Sequence, residues 1–493
     1  MKKIFLFLIG IFLLASAGAL RAADIGVPSE CEDVMLQVFY WDSYGVQDQP
    51  APKYGRTKWV DLLKDTAAIN ANFDLVWFPP SAFATDGNGR GGVGYSPKQY
   101  SDQDSDWGTE RKLKELMAAL HAGKTKVLAD VVINHRGTAN IWCSFFTDNF
   151  GQYGTWTLKQ THICRDDEGF SDPGSSCYNA KPSERGAYDT GTNFEGARDL
   201  DHTNDTVQRW AKAYTQWLLN TMQYDGFRYD MTSGYHGSYL SMYNEVSQPY
   251  LSVSELWDGI NRVKQHLEEA NYNTMVFDFP MKFKLNDAFR ENALGQLKKP
   301  SNSLRGQGLA KYAVTFIDNH DTFERETQQG DEFIGYMADL SSVMNKNKIL
   351  QANAYILMMP GVPCVFYPHW SSYKDEINAL IAVRKQVGIH SESEVTDESG
   401  QGAKYEATIK GHRGTAILRL GNSRSRTAPE GYETVLDGGL FAAYTIFVKM
   451  NPQGIDEAKS QKLTANSQKF LKDGKLFIRH GANVYDILGN KIE

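Results

Sequence analysis

Eight short apolar runs alternate with helical patterns along this chain, and no other feature restricts its fold as strongly. The runs cover residues 34–40, 74–78, 126–133, 226–230, 250–255, 274–279, 312–317 and 362–366. Amphipathic helices are predicted between several of them, one carrying Leu113, Leu116 and Leu120 at helical spacing behind Thr109, a candidate N-cap. This order predicts an α/β fold. A doubly wound sheet would give a similar alternation, but the count of eight favours a (β/α)8 TIM barrel.

Two segments depart from this alternation and predict further domains. Residues 136–199 are rich in Gly, Asp, Ser and Thr, and loops beyond about 15 residues rarely lack structure of their own. We therefore expect a small inserted domain at 136–199, after strand 3, between barrel segments 23–135 and 200–388. Alternating polar and apolar residues over 389–450 predict a C-terminal antiparallel β domain.

The cysteines are too few for a disulfide scaffold. There are five: Cys31, Cys143, Cys164, Cys177 and Cys364. Three of them fall between 143 and 177, close enough in sequence for one local bridge to form, with the pairing left open. Cys364 lies in an apolar run and is predicted to be a buried free thiol.

Both the N-terminus and the charge restrict where the chain acts. Lys2 and Lys3 precede an apolar run at 4–17 and small residues up to Ala22, which predicts a signal peptide over 1–22. We expect no transmembrane segment in the mature chain, and a periplasmic, cell-surface or extracellular location. The formal charge of -7 argues against a nucleic-acid partner. A monomer is expected.

Chemically active side chains cluster where the predicted strands end. A βα barrel gathers the C-terminal ends of its strands at one rim, where active sites are built. A single Asp or Glu at such a place is usually a helix cap or a solvated charge, but several converging ones indicate a site. The rim candidates are Asp130, Asn134, His135, Arg228, Asp230, Glu255, His320 and Asp321.

This set suits glycoside hydrolysis, which needs one ionised and one protonated carboxyl group. Arg228 lies two residues before Asp230, and a neighbouring cation would hold that carboxylate ionised. Glu255 is flanked by Val253, Leu256 and Trp257, and apolar surroundings would raise its pKa. The residues therefore predict Asp230 as the ionised group and Glu255 as the acid.

Four ordered segments resemble the signatures of the α-amylase family of glycoside hydrolases. They are DVVINH at 130–135, GFRYD at 226–230, SELWD at 254–258 and FIDNHD at 316–321. Shorter segments are similar to plant-type α-amylases: VWFPP at 76–80, GYSP at 94–97, ICRDD at 163–167, DLDH at 199–202, GVPCVFY at 361–367 and GIHS at 388–391. The resemblance covers roughly residues 34–450 and is specific because four signatures occur in order.

The resemblance implies roles for the rim residues. Asp230 would be the nucleophile, Glu255 the general acid/base and Asp321 the residue that stabilises the transition state. His135, Arg228 and His320 would contact the sugar, and Tyr95 would stack on it, packing alone being the other reading of Tyr95. The family retains anomeric configuration, which implies carboxyl groups about 5–5.5 Å apart.

The resemblance also implies a calcium ion, which prefers hard oxygen ligands. The family's ligand positions correspond to Asn134, Asp189 and Asp199, with carbonyl oxygens of Ala197 and Gly234. Asp167 and Asp172 resemble a second calcium site. The alternative for these Asp residues is turn formation. Ser233 occupies the place of a common Lys, three residues after the nucleophile, and implies a weaker leaving-side subsite.

We therefore expect a secreted, calcium-dependent enzyme that cuts internal α-1,4 bonds of starch or maltooligosaccharides. A glucan transferase or a maltooligosaccharide-specific hydrolase on the same scaffold is the rival, and a non-catalytic glucan-binding protein is a third reading. Residues 451–493 form a linker and a short tail. The tail resembles the C-terminal tails of secreted Bacteroidetes proteins, which implies a sorting signal, although a terminal hairpin fits it equally.

Overall fold

A closed barrel of eight parallel strands forms the centre of the molecule. The structure, a computed structural model, describes residues 25–41, 43–45, 51–84, 92–323, 346–421 and 425–451, with the strand backbones at 467–472, 475–480 and 483–486. The barrel strands are β1 (Met35–Gln37), β2 (Leu75–Trp77), β3 (Lys126–Val131), β4 (Gly226–Tyr229), β5 (Ser252–Ser254), β6 (Met275–Phe277), β7 (Ala313–Phe316) and β8 (Val362–Phe366). β1 pairs with β2 and β8, which closes the ring. Each strand lies within one of the eight apolar runs, so the predicted fold is confirmed.

Amphipathic helices surround the barrel. They are α1 (Trp59–Asn72), α2 (Glu110–Ala122), α3 (Asp205–Asn220), α4 (Gly237–Ser247), α5 (Ile260–Glu269), α6 (Phe279–Arg290), α7 (Lys346–Met358), α8 (Tyr367–Ser372) and α9 (Lys374–Val387). In α2 the predicted apolar face is buried, and the Thr109 side chain accepts a hydrogen bond from the Lys112 amide. This contact satisfies one of the amide groups that a helix start leaves unpaired. The prediction that Thr109 is the N-cap is therefore confirmed.

The segment between β3 and β4 is folded, as the inserted domain requires. At its base, residues 135–136 pair antiparallel with residues 198–199. A disulfide joins Cys143 to Cys177, with Cα atoms 6.0 Å apart, which resolves the pairing that the sequence left open. Cys31, Cys164 and Cys364 are free and buried, so the prediction for Cys364 is confirmed.

A five-stranded antiparallel sheet follows the barrel, which confirms the predicted C-terminal β architecture. Its strands are β9 (Glu394–Gln401), β10 (Lys404–Lys410), β11 (Gly414–Leu420), β12 (Glu433–Asp437) and β13 (Tyr444–Met450), with the short helix α10 (Gly439–Ala442) between the last two. Arg305 of the barrel contacts Glu398 of this sheet at 2.7 Å, and Tyr405 donates to the same carboxylate. The interface between the two domains therefore includes an ion pair.

The chain ends on a small antiparallel sheet. It contains β14 (Ser467–Lys472), β15 (Lys475–His480) and β16 (Asn483–Asp486), one strand more than a terminal hairpin. The proposed signal peptide at 1–22 and the rest of the tail from residue 452 onward lie outside the described residues. No helix in the described ranges is both long and apolar enough to cross a bilayer.

A buried carboxylate ties the insertion to the barrel helices. Asp148 accepts from the Tyr100 amide at 2.7 Å, from Arg136 at 3.2 Å and from the Trp210 indole at 3.0 Å. The side chains of Asp148 and Arg136 have no exposed surface. Asp148 therefore connects the loop after β2, the start of the insertion and α3.

Replacing Asp148 with Asn should destabilise the protein. Both oxygens of Asp148 accept hydrogen bonds, whereas an Asn side chain has only one acceptor oxygen. Breaking a buried ion pair typically costs about 3 kcal/mol or more of unfolding free energy. Denaturant unfolding of the full chain measures the change. The control is Glu394→Gln, which removes an exposed pair with Lys410 at 2.8 Å and should change the unfolding free energy by less than about 1 kcal/mol. Equal effects of the two substitutions would contradict this account.

Candidate active site

One buried guanidinium holds three carboxylates together at the C-terminal rim of the barrel. Arg228 of β4 contacts Asp130 at 2.8 Å and Asp230 at 2.7 Å through one terminal nitrogen. Its other terminal nitrogen contacts Glu255 at 2.7 Å. Asp230 follows β4 directly and Glu255 follows β5 directly, so strand pairing brings the two groups side by side. The predicted nucleophile and acid are therefore neighbours.

Asp130 fixes the position of this guanidinium. While one of its oxygens faces Arg228, the other accepts from the Trp77 indole at 3.0 Å and from the Tyr95 hydroxyl at 2.9 Å. The guanidinium also lies over the Trp77 ring, 4.9 Å from its centroid. Such cation–π contact is strongest where water is excluded, and Arg228 is buried. Asp130 thus orients Arg228 and Tyr95 together.

A left-handed backbone turn positions Glu255. Met231, directly after Asp230, has φ 43° and ψ 53°, a conformation that non-glycine residues rarely adopt. Its amide donates to Glu255 at 2.9 Å, and the Trp257 indole donates to the other carboxylate oxygen at 3.0 Å. The side chain of Glu255 is therefore held by Arg228, Met231 and Trp257.

Asp321 lies beyond β7, beside a stack of rings. The Asn319 side chain accepts from the Asp321 amide at 3.0 Å, which fixes the loop, and a nitrogen of His320 lies 3.2 Å from the Asp321 carboxylate. The rings of Tyr95 and His320 are stacked with centroids 5.1 Å apart, and the Trp41 ring is nearly parallel to both. The three rings therefore stack on one another at the rim, with His320 buried and Trp41 and Tyr95 partly exposed.

Burial determines the protonation of this site. It raises the pKa of Asp230 to about 7, although Arg228 opposes that rise. The pKa of Glu255 is also raised, first by burial and then by the charge of Asp230, against the lowering effect of Arg228. The predicted direction for Glu255 is confirmed. For Asp230 the cation is present as expected, but desolvation outweighs it.

His135 and Ser233, two further residues predicted to contact the sugar, lie against the insertion. The His135 Nε2 atom lies 2.9 Å from the Tyr95 carbonyl oxygen, and burial lowers the pKa of this ring to about 4, so it is neutral. The Phe194 ring of the insertion stacks on it. The Ser233 carbonyl accepts from the Thr192 amide at 2.9 Å. The roles of His135 and Ser233 in sugar binding stay predictions, as do those of Tyr95, Arg228 and His320.

The residues predicted to bind calcium meet where the insertion touches the barrel. The Asn134 amide lies 3.2 Å from one oxygen of Asp199, and the other oxygen accepts from the Phe194 amide at 2.8 Å. One oxygen of Asp189 is buried without a hydrogen-bond partner. A side chain at Gly234 would collide with Asn134, so only glycine permits this close approach. The Ala197 and Gly234 carbonyls stay predicted ligands.

The second predicted calcium pair already has other partners. Asp167 contacts the Arg198 guanidinium, and its oxygens also accept from the Gly169 amide at 2.8 Å and the Asp199 amide at 3.0 Å. Asp172 accepts from the Gly174 amide at 2.8 Å, which is a turn contact. Arg198 supplies the cation that Asp167 needs, so these two residues do not fit a second ion.

Several residues of the site were not found from the sequence. Trp41 follows β1, Trp77 ends β2, and Gln37 of β1 contacts His320 at 3.0 Å. All three lie at strand ends, so the rim rule applied to β1 and β2 would have found them. Met231 carries no sequence signal, because its role depends on its backbone conformation.

Comparisons with known proteins find relatives that act on glucans by name. The probable alpha-amylase 2 of Arabidopsis thaliana is 28% identical over 410 residues, covering 78% of this chain and 88% of that protein. Chloroplastic alpha-amylase 3 of the same plant is 29% identical over 76% of this chain, which spans only 40% of that longer protein. The glucan 1,4-alpha-maltotetraohydrolase of Stutzerimonas stutzeri is 27% identical over 79% of this chain and 68% of that enzyme.

Solved structures share the fold, and a family profile identifies the catalytic domain. The alpha-amylase of Geobacillus thermoleovorans, solved with acarbose, has a TM-score of 0.61 at 16% identity, covering 86% of this chain and 99% of that one. The profile of the alpha-amylase catalytic domain matches residues 71–407, well over half of this chain. These residues include the carboxylates around Arg228, and the chain is therefore an enzyme of the α-amylase family of glycoside hydrolases.

Proposed function

We propose that this enzyme hydrolyses internal α-1,4-glucosidic bonds of starch and related glucans with retention of configuration. The observation that carries the proposal is the pair of carboxyl groups, Asp230 and Glu255, on the two terminal nitrogens of Arg228. The named activities of the relatives, which include alpha-amylases and a maltotetraohydrolase, support the substrate class. Secretion and the monomeric state stay predictions from the sequence.

The chemistry divides between the two carboxyl groups. Glu255 donates its proton to the leaving oxygen while ionised Asp230 attacks the anomeric carbon, which gives a glycosyl ester on Asp230. Glu255, now ionised, then takes a proton from water as that water cleaves the ester. Asp321 lies near the same rim, where a carboxylate would stabilise the positive charge that develops on the sugar. The partly exposed rings of Trp41 and Tyr95 would contact the sugar ring.

Amylose tests this function. Iodine colour should fall rapidly while few new reducing ends form, because internal cuts shorten chains quickly. Glu255→Gln should lower kcat by about 10²–10⁴-fold, the usual contribution of general acid/base catalysis. The matched control is Glu245→Gln on the exposed face of α4, with activity near that of the wild type.

The rival functions give different results in the same assay. Colour loss that is slow relative to new ends would indicate exo-action or a preference for small substrates, as Ser233 could favour. Redistribution of chain lengths without new ends would indicate a transferase. Full activity of a folded Glu255→Gln protein would disprove the assignment of the acid.

Replacing Arg228 with Lys should move the pH profile. Arg228 lowers the pKa of Asp230 against burial, and a lysine ammonium cannot reach all three carboxylates. The pKa of the nucleophile should therefore rise, so the acid limb of kcat/KM should shift by about one unit to higher pH. The control is Arg262→Lys, because Arg262 also contacts a carboxylate, that of Glu269 at 3.3 Å, but in a partly exposed pair away from the active site. An unchanged acid limb in a folded Arg228→Lys protein would contradict the role of this guanidinium.

We further propose one calcium ion between the insertion and the barrel. The orphaned oxygen of Asp189, the Asp199 carboxylate and the Asn134 side chain are hard ligands that suit it. The ion would supply positive charge to buried carboxylates and link the insertion to the loops after β3 and β4. Catalytic steps remain with Asp230, Glu255 and Asp321.

Calcium should stabilise the metal-free chain when it is added back. An ion at a hundredfold excess over its dissociation constant raises the unfolding free energy by about 2.7 kcal/mol. Asp199→Asn should lose most of this increment, whereas Asp172→Asn, a turn residue, should keep it. Denaturant midpoints with and without calcium measure both. An equal calcium response in Asp199→Asn would rule out this ligand set.

A further inference from the structure

Two histidines and a glutamate from distant parts of the chain meet at the edge of the C-terminal β domain. Glu30 precedes β1, His390 follows α9, and His412 lies in the turn between β10 and β11. Each offers one ligand atom, and the three atoms lie within 4.8 Å of one another. We call this group the seam cluster.

The seam cluster lies on the face of the barrel opposite the catalytic rim. Cys31 lies shortly before β1 and Gly361 directly before β8, so both mark the N-terminal ends of the strands. Ser391, one residue after His390, accepts from the Cys31 amide through its hydroxyl and from the Gly361 amide through its carbonyl, both at 3.1 Å. The catalytic carboxylates follow the C-terminal ends of β4 and β5. The seam cluster therefore takes no part in the reaction at the rim.

The side chains are arranged as a shallow open site. His412 Nε2 lies 3.5 Å from a Glu30 oxygen, and the rings of His390 and His412 have centroids 4.2 Å apart. A tetrahedral zinc site needs ligand atoms about 3.3 Å apart, given Zn–N bonds of about 2.0–2.1 Å. The present separations of up to 4.8 Å are longer than this, but the exposed side chains of Glu30 and His412 can move closer to an ion. The His390 ring is buried and keeps its position.

A second carboxylate supports the cluster from behind. His412 Nδ1 lies 3.3 Å from Glu32, whose two oxygens contact the Arg413 guanidinium. A ligating histidine commonly donates its other ring N–H to a carboxylate in this way. The Glu392 side chain accepts from the Glu30 amide at 2.9 Å, which adds a third negative charge. Around the two imidazoles, three carboxylates face one guanidinium, so the site favours a cation.

We propose that Glu30, His390 and His412 bind a divalent transition metal, Zn²⁺ in particular, with water completing the coordination. Two imidazoles and one carboxylate suit zinc, whereas calcium and magnesium prefer all-oxygen sets. The Glu392 amide lies 3.3 Å from His390 Nδ1 and competes with the ion for this ring. The site is therefore weaker than a closed structural zinc site. Its effect is to fasten the N-terminal segment to the C-terminal β domain.

Isothermal titration of the full chain with zinc sulfate, in buffer that holds calcium in excess, tests this site. The wild type should bind one Zn²⁺ per chain, and zinc should raise its melting temperature. His412→Gln and Glu30→Gln should each lower zinc affinity at least about tenfold, since even the loss of a group that only hydrogen-bonds a metal ligand lowers metal affinity 10–100-fold. Both residues are exposed, so the variants should fold. Cobalt absorption, lost in His412→Gln, gives a spectroscopic check.

His121→Gln is the matched control. His121 pairs with Asp225 at 2.8 Å on α2, so it is another histidine beside a carboxylate but outside the cluster. The His121→Gln protein should bind zinc as the wild type does. A wild type with no saturable zinc site, or undiminished binding in both variants, would show that the cluster is an ion-pair network only. Amylose cleavage is not the readout, so this result is independent of the proposed function.

Discussion

The buried guanidinium of Arg228 is the contact on which the arrangement of the active site depends. It reaches Asp130, Asp230 and Glu255 from the middle of the rim, and these groups belong to or follow three successive strands of the barrel. A planar guanidinium with several fixed donors can hold carboxylates at defined angles, which an ammonium cannot. The nucleophile and the acid are thus placed by one side chain, and Asp130 places that side chain in turn.

Arg228 does not neutralise this site. Three carboxylates around one cation leave an excess of negative charge, and burial raises the pKa values of Asp130, Asp230 and Glu255. The carboxyl groups therefore compete for protons near neutral pH, and one of them readily remains protonated. A retaining hydrolase needs this unequal state, because one carboxyl group must attack while the other donates. The Met231 amide and the Trp257 indole fix the acid by contacts, so its orientation does not depend on charge alone.

Away from the rim, too, burial destabilises carboxylates and neighbouring cations or hydrogen-bond donors compensate for it. Asp148 is satisfied by Arg136 and two neutral donors, and Asp167 by Arg198 and backbone amides. Asp189 retains a buried oxygen without a hydrogen-bond partner, which is why the calcium proposal rests on it and not on Asp167. At the seam cluster the carboxylates outnumber the guanidinium again, but two imidazoles stand where the calcium ligand set has amide and carbonyl oxygens, so the ion that suits the cluster is different.

The sequence by itself determined the eight strands, the insertion, the C-terminal sheet and the rim carboxylates, because hydrophobic period and strand ends are local properties of the chain. It could not give the Cys143–Cys177 pairing or the turn at Met231, since both depend on how distant segments pack. Nor could it show that Arg198 takes the place of a second cation beside Asp167. The net pKa of Asp230 depends on packing in the same way: the Arg that lowers it is visible in the sequence, whereas the loss of water that raises it is decided only when the barrel closes around the carboxylate.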